Sequence, residues 1–204
     1  MQIERIRAQI VEAKTIERQS GVLYQAIVNL ARQNGASVGA LQVGKVIDVV
    51  TEYIESAPAL MLIVEKAAKE NGGQPFIQPL LDAIEDFFLA PDDIIPDHLG
   101  LAGLLDDAYL AHMLLAAISD KYESHSGKSL LPTDAHEANS FIRRLIGEPF
   151  VGMLDEHVSR VLEGLCAVED IDRMLAVLEQ LQLSPVRQRI RGSLRVSELI
   201  GVHI

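Results

Sequence analysis

Residues 87–115 read FFLAPDDIIPDHLGLAGLLDDAYLAHMLL, and this stretch carries the strongest helix-breaking signals in the chain. Pro91 and Pro96 each lack a backbone N–H and push the residue before them away from the α region. A helix that arrives from the N-terminal side therefore ends near Ala90, and a short, stiff link follows. Asp97 precedes a long apolar run and is placed to cap the free N–H groups at its start.

Four more aspartates flank this cap position. Asp92 and Asp93 are placed to cap a turn inside the link. Asp106 and Asp107 fall two to three turns inside the next predicted helix, which is too far in to cap it. Their neighbours are leucines, and a buried carboxylate without a partner would shift its pKa and become neutral. At least one of the pair is therefore expected to face a group that satisfies it.

The same residues resemble a known family. The heptapeptide PDDIIPD at 91–97, the glycines at 100 and 103 and the LDD sequence at 105–107 resemble the signature of the YkvA-like domain of unknown function. The resemblance covers about residues 80–118, and it departs at His98, where a large apolar residue is more usual. It implies a small helical domain. The family has no established activity, so the resemblance implies no reaction.

Composition points to packed helices in a soluble chain. Of the 204 residues 49% are hydrophobic and only 4% aromatic, with no Trp, so Leu, Ile, Val and Ala must build the core. This length is most simply one domain, with two small halves as the alternative. A single Cys excludes an internal disulfide and fits a reducing compartment.

No segment has the features of a targeting or membrane sequence. The first twenty residues mix basic and acidic side chains, unlike a secretory signal. The longest uncharged apolar run lies between Asp107 and Asp120 and is shorter than the roughly 18 residues that span a bilayer. We therefore expect no transmembrane segment and a cytoplasmic location.

The net charge of −11 is unevenly distributed. No Lys or Arg falls between Lys69 and Lys121, whereas the C-terminal piece is basic. The basic arm at 184–204 is most simply a solvated face; the alternative is that it pairs with the acidic middle, within one molecule or between two. Nucleic acid is a poor partner for such a chain, because one short Arg cluster leaves little net attraction for phosphate.

Apolar residues at three- and four-residue steps predict helices over most of the chain. The predicted segments lie at 2–33, 37–56, 59–70, 75–89, 99–122, 133–146, 150–165 and 169–181, before a short helix or extended arm from 194. Ser20-Gly21 is a weak point in the first, and Pro58 is placed in the first turn of the third. The pattern predicts an all-α protein, an irregular bundle of about seven or eight helices in a single domain, 1–204.

Two segments resemble catalytic motifs, but each lacks a residue that its motif requires. Glycines and a lysine at 39–45 have P-loop spacing, but Val46 replaces the magnesium-binding hydroxyl and no strand precedes it. His136-Glu137 begins like a zinc-protease motif, but Ser140 stands where the second histidine is required. His157, beside Asp155 and Glu156, is assigned to a solvated polar face.

One cluster of candidate metal ligands remains. It comprises Asp92, Asp93, Asp97, His98, Asp106, Asp107 and His112. Oxygen-rich sets of this kind suit magnesium, calcium or manganese, and an imidazole extends the choice toward iron or zinc. The alternative is structural: the same carboxylates cap helices, accept backbone N–H groups of the Pro-Asp link, or face an arginine. Beyond this divalent metal no cofactor is expected.

Two functions from different classes follow. The first, which we favour, is a non-enzymatic helical module that binds a protein partner or a second copy of itself through apolar helix faces. The second is a metal-dependent hydrolase or related enzyme that uses the acidic cluster at 92–112. Peripheral membrane contact is a weaker third hypothesis, because anionic lipid repels an acidic protein.

Overall fold

A computed structural model of the protein describes residues 2–70, 72–90, 94–127, 133–166, 172–174, 176 and 200–201. In chain order its elements are α1 (Ile3–Ser20), α2 (Val22–Gln33), α3 (Ala40–Glu70), α4 (Gln74–Leu89), a 3₁₀ helix (Asp97–Ala102), α5 (Leu104–Ser126), α6 (Thr133–Ile146) and α7 (Phe150–Cys166). The described residues include no strand. The prediction of an all-α, irregular bundle of about seven or eight helices is confirmed.

The first predicted helix, 2–33, is two helices that meet at Gly21. This glycine has φ 64°, in the left-handed region, and its N–H donates to the carbonyl of Glu17 at 2.8 Å, which ends α1. The Glu17 carboxylate then accepts the backbone N–H groups of Leu23 and Tyr24, each at 3.0 Å. One buried side chain of α1 therefore caps the start of α2, and the predicted weak point is a complete break.

Two predicted helices, 37–56 and 59–70, form the single helix α3. Pro58 lies inside α3 and not in a first turn, so that prediction was wrong. An interior proline removes one hydrogen bond and strains the helix. The apolar face nevertheless continues across it, because Ile54, Ala57 and Met61 are almost fully buried. Packing of that face outweighs the local cost of the proline.

The helix predicted from Leu99 begins later, at Leu104, after the 3₁₀ helix. Gly100 interrupts the 3₁₀ helix with φ 71° and ψ −131°. A Cβ at this position would lie 3.0 Å from the carbonyl oxygen of Ala13 and 3.1 Å from the backbone nitrogen of Glu17. Glycine therefore allows the 3₁₀ helix to pack directly on the backbone of α1. The 3₁₀ helix is held there as an element separate from α5.

The helices predicted at 75–89, 133–146 and 150–165 are confirmed as α4, α6 and α7. The helix predicted at 169–181 and the arm at 184–204 lie largely outside the described residues. Within the described end of the chain, Ile200 is fully buried, and Gly201 approaches Ala36 beyond the end of α2.

The central element is α5, which packs against α3, α4, α6 and α7. Tyr109, Ala108 and Leu114 of α5 are fully buried, in a core made mostly of aliphatic side chains. Nowhere in the described part of the chain does a helix combine the length and apolarity needed to cross a membrane. The polar and titratable side chains that could bind a ligand or take part in a reaction lie around α5, where it faces the neighbouring helices.

Candidate functional site

Asp106 anchors the link that precedes the 3₁₀ helix. Because α5 begins at Leu104, Asp106 and Asp107 lie in its first turn, and the prediction that they lie two to three turns inside was wrong. Asp106 is 1% exposed, and its Oδ2 accepts the backbone N–H of Ile95 at 2.9 Å. A carboxylate at a helix N-terminus is also stabilised by the helix dipole. Asp106 therefore has the structural role given as the alternative to metal binding: it accepts a backbone N–H of the Pro-Asp link.

Both aspartates border a cavity of about 320 Å³ between α4, α5 and α7, which we call the acidic cavity. Its polar side chains are those of Asp86, Asp106, Asp107 and His157. The rest of its wall is apolar and includes Phe87. No Lys or Arg belongs to the described lining, so its titratable side chains are three carboxyl groups and one imidazole.

His157 was missed as a cavity residue. The ring of His157 stands edge-on to that of Phe87, with centroids 5.6 Å apart. Burial, and then the charge of Arg160, lower the pKa of the imidazole, which favours its neutral form. The solvated polar face expected for Asp155, Glu156 and His157 is thus wrong for His157, and it is also wrong for the half-buried Asp155, which accepts a hydrogen bond from Tyr109. The signal was present as helical spacing, since position 157 lies three residues after the buried Leu154 and four before Val161, which lines the same cavity.

The described ligand candidates of the link, Asp97 and His98, do not line this cavity. Asp92 and Asp93 lie outside the described residues. His98 is exposed, and neither it nor Asp97 lines the acidic cavity. Asp97 is partly buried near Glu12 of α1; burial and then the charge of Glu12 raise the pKa of its carboxyl. Its predicted capping role is not seen, because the 3₁₀ helix has no side-chain cap among the described residues.

His112 faces α3, away from the paired aspartates. Its Nε2 lies 2.9 Å from Ser56 Oγ and 3.1 Å from the carbonyl oxygen of Tyr53. The Ser56 hydroxyl already donates to that carbonyl at 2.6 Å, so Nε2 carries the proton and donates to both oxygens. Burial lowers the pKa of His112 to about 4. It is a neutral core histidine that joins α5 to α3.

Within the described ranges, no three His, Cys, Asp or Glu side chains come close enough together to hold a metal ion. Asp106 and Asp107 are the members of the predicted set that share one cavity there, and Asp86 and His157 are the nearest additions. The three carboxyl groups and the imidazole of the acidic cavity can bind a cationic group. It can also simply hold the link against α5, as the contact with Ile95 does.

A second polar cluster joins α5, α6 and α7. Tyr109 donates to Asp155 Oδ1 at 2.9 Å and accepts from Arg143 at 3.2 Å, while Arg143 forms an ion pair with Asp155. Burial, followed by the hydrogen bond to Asp155, raises the pKa of Tyr109 to about 12. The one sequence signal for this cluster is a tyrosine on an apolar helix face, because a buried hydroxyl needs a partner.

The surface carries a groove of about 390 Å³ between α1 and α3, the α1–α3 groove. Its lining residues are Arg7, Ile10, Val11, Glu55, Pro58 and Ala59. Val11 is 65% exposed at the rim, although it is a large apolar residue. Lys14 forms an ion pair with Glu55 beside it. The groove therefore combines apolar surface with charges of both signs.

No protein-family model, curated protein or solved structure matches this chain. The resemblance to the YkvA-like domain therefore stays a prediction from the sequence, and any statement of function must come from the site geometry.

Proposed function

We propose that the protein is a non-enzymatic self-associating module, in which the α1–α3 groove of one copy packs against the same groove of a second. The observation that carries this proposal is the 65% exposure of Val11 beside an apolar groove. Burying a valine side chain stabilises by about 1.5–3 kcal/mol, so a contact that covers it is favourable.

The charges of the groove suit contact between identical copies. Arg7 and Glu55 belong to the same groove on different helices. In a twofold interface every contact occurs twice in reverse, so a contact of Arg7 in one copy with Glu55 in the other would form twice, in exchange with their present partners Glu4 and Lys14. A surface with one charge of each sign beside apolar residues can complement its own inverted copy, whereas a single-sign surface repels it.

The polar residues of the core support a non-enzymatic role. Glu17, Asp106 and His112 are each engaged in hydrogen bonds that join backbone segments or helices. His112 is also held neutral by a pKa of about 4. A general base for chemistry near neutral pH needs a pKa near that pH and access to substrate. These side chains are suited to fixing the fold.

Sedimentation velocity over a range of protein concentrations tests the proposal. Wild-type protein is expected above the 22.4 kDa of one chain, and Val11→Glu is expected to sediment as one chain. Ala8→Glu is the matched control, because it also replaces an exposed apolar residue of α1 with a carboxylate, one turn away and outside the groove lining. A wild-type monomer at every concentration, or equal effects of the two substitutions, would contradict self-association through the groove.

A metal-dependent hydrolase is the second candidate, because Asp106 and Asp107 border one cavity together with His157. The two aspartates would hold the divalent ion, and the described residues bring no third His, Cys, Asp or Glu ligand close enough to complete the set. Elemental analysis of protein purified without a metal-affinity tag, with melting curves in chelator, tests this candidate. Near-stoichiometric metal that is lost in Asp107→Asn supports it. Metal-free protein with an unchanged melting temperature in chelator rejects it.

A further inference from the structure

A second cavity of about 320 Å³ lies between α5, α6 and α7, beside Tyr109, and we call it the polar cavity. Its wall on α6 is polar and includes Asn139, Ser140 and Arg143. The walls on α5 and α7 mix the polar side chains of Tyr109, Asp120, Asp155 and Ser159 with apolar ones, namely Met113, Ala116, Ala117, Val158 and Leu162. This volume is at the lower end of the range of small-molecule sites.

The arginine of the polar cavity is already ion-paired. Arg143 is ion-paired with Asp155, and both contact the hydroxyl of Tyr109. At the other end Asp120 and His136 lie 3.8 Å apart, and both are about half exposed, so water screens them. A charged ligand would have to compete with an existing ion pair inside the cavity. The site therefore favours an uncharged molecule.

Asn139 supplies a directed hydrogen-bonding group. It is 6% exposed, and its Oδ1 accepts the hydroxyl proton of Tyr53 at 2.8 Å, which fixes the orientation of the amide. Its amide nitrogen carries two N–H donors and makes no side-chain hydrogen bond to the described residues. Ser140, the next residue on α6, adds a hydroxyl to the same lining. A ligand with acceptor atoms on one edge would satisfy these groups.

Apolar side chains of two helices line the cavity, among them Ala116 and Ala117 on α5 and Leu162 on α7. A ring system could contact the apolar side chains of both helices while its edge meets the polar side chains of α6. We propose that the polar cavity binds an uncharged, planar heterocycle with hydrogen-bond acceptors on its edge, such as a nucleobase. This proposal is independent of the α1–α3 groove.

Titration calorimetry with adenosine and uridine as probes tests the site. At least one nucleoside is expected to bind the wild-type protein. Asn139→Asp keeps an acceptor for Tyr53 but removes the amide donors, and is expected to weaken binding by about tenfold or more. The exposed Asn29→Asp makes the same chemical change far from the cavity lining and is expected to leave binding unchanged.

Ala117→Leu supplies a second test that leaves every polar group in place. Ala117 is partly exposed to the cavity, so the larger side chain can extend into it without displacing the core, and binding is expected to be lost. Adenosine monophosphate is expected to bind no more tightly than adenosine. Absence of binding by both nucleosides at millimolar concentration, full binding by Ala117→Leu, or a preference for the charged nucleotide would each overturn the proposal.

Discussion

The carboxylate of Asp106 accepts the backbone N–H of Ile95 at 2.9 Å, across eleven residues of chain. This bond ties the first turn of α5 to the proline-flanked link that follows α4. Asp106 is 1% exposed, so water cannot readily replace this bond as a partner of its carboxylate. The link is therefore held by a buried side chain as well as by the rigidity of its prolines.

Replacing Asp106 with Ala is expected to destabilise the fold. The lost acceptor leaves the Ile95 N–H without its partner, a cost of about 1–3 kcal/mol, which lowers the melting temperature by about 3–10 °C for a protein of this size. Thermal unfolding by circular dichroism measures the change. Asp82→Ala, which removes an exposed carboxylate bonded to Gln78, is the control and should shift the melting temperature little.

Gly103 is expected to tolerate no side chain. A Cβ there would lie 2.6 Å from the carbonyl oxygen of Pro96 and 2.8 Å from the Cα of Asp97. Both are backbone atoms, so the link must move, and Gly103→Ala should cost about 1–3 kcal/mol in the free energy of unfolding. Urea denaturation measures this cost.

Gly164→Ala is the matched change to Gly103→Ala. Gly164 lies inside α7, and nothing is within 4 Å of the position its Cβ would take. Alanine there should stabilise the protein by about 0.5–1 kcal/mol, because glycine loses more backbone entropy in a helix. If both substitutions destabilise the protein equally, close packing of the link does not explain the effect of Gly103→Ala.

Glu17 is expected to act as the cap of α2. Glu17→Ala removes the acceptor of two backbone N–H groups, and loss of a cap costs about 0.5–2 kcal/mol. Glu17→Gln keeps one acceptor oxygen, so its effect should fall between wild type and Glu17→Ala. Chemical denaturation ranks the three proteins, and a glutamine variant less stable than the alanine variant would rule out this capping role.

His112 should make the fold sensitive to acid. Its pKa is about 4 in the folded protein and 6.5 in the unfolded chain, so the unfolded state binds the proton more readily. Its contribution to stability is complete above pH 6.5 and is lost as the pH falls toward 4. The loss from this group between pH 7 and pH 5 is about 2 kcal/mol.

Urea denaturation at the two pH values, in wild type and His112→Gln, isolates this contribution. Glutamine retains an N–H donor but does not titrate, so the variant should lose about 2 kcal/mol less than the wild type between pH 7 and pH 5. The two proteins have different stabilities at pH 7, and the comparison therefore uses the change with pH. An identical pH dependence would show that His112 does not titrate as described.

Local periodicity predicted the helices well because each buries an apolar face, and it placed α4, α6 and α7 correctly. It failed where tertiary contacts override local preference. Pro58 reads as a helix start, yet the buried residues on both sides of it hold one helix. Gly100 reads as a helix residue, yet its contact with the backbone of α1 delays α5 until Leu104.

The candidate site was predictable only in part. The proline and aspartate pattern located the link and the buried pair at 106–107. Asp107 and His112 are five residues apart on one helix, which places them about 140° apart around its axis. The prediction that they share a face was therefore wrong, and in the fold His112 bonds to Ser56. Partners distant in sequence, such as Asn139 for Tyr53, carry no local signal.

The contact of Gly100 with α1 affects the order in which a ribosome can complete this fold. Residues 13–17 leave the exit tunnel long before residue 100 is made, so α1 must wait for the segment that packs on its backbone. At about 5–20 residues per second the delay is roughly 4–17 s. During that time the isoleucine face of α1 lacks its full cover, and the nascent chain presents a site that a chaperone can hold.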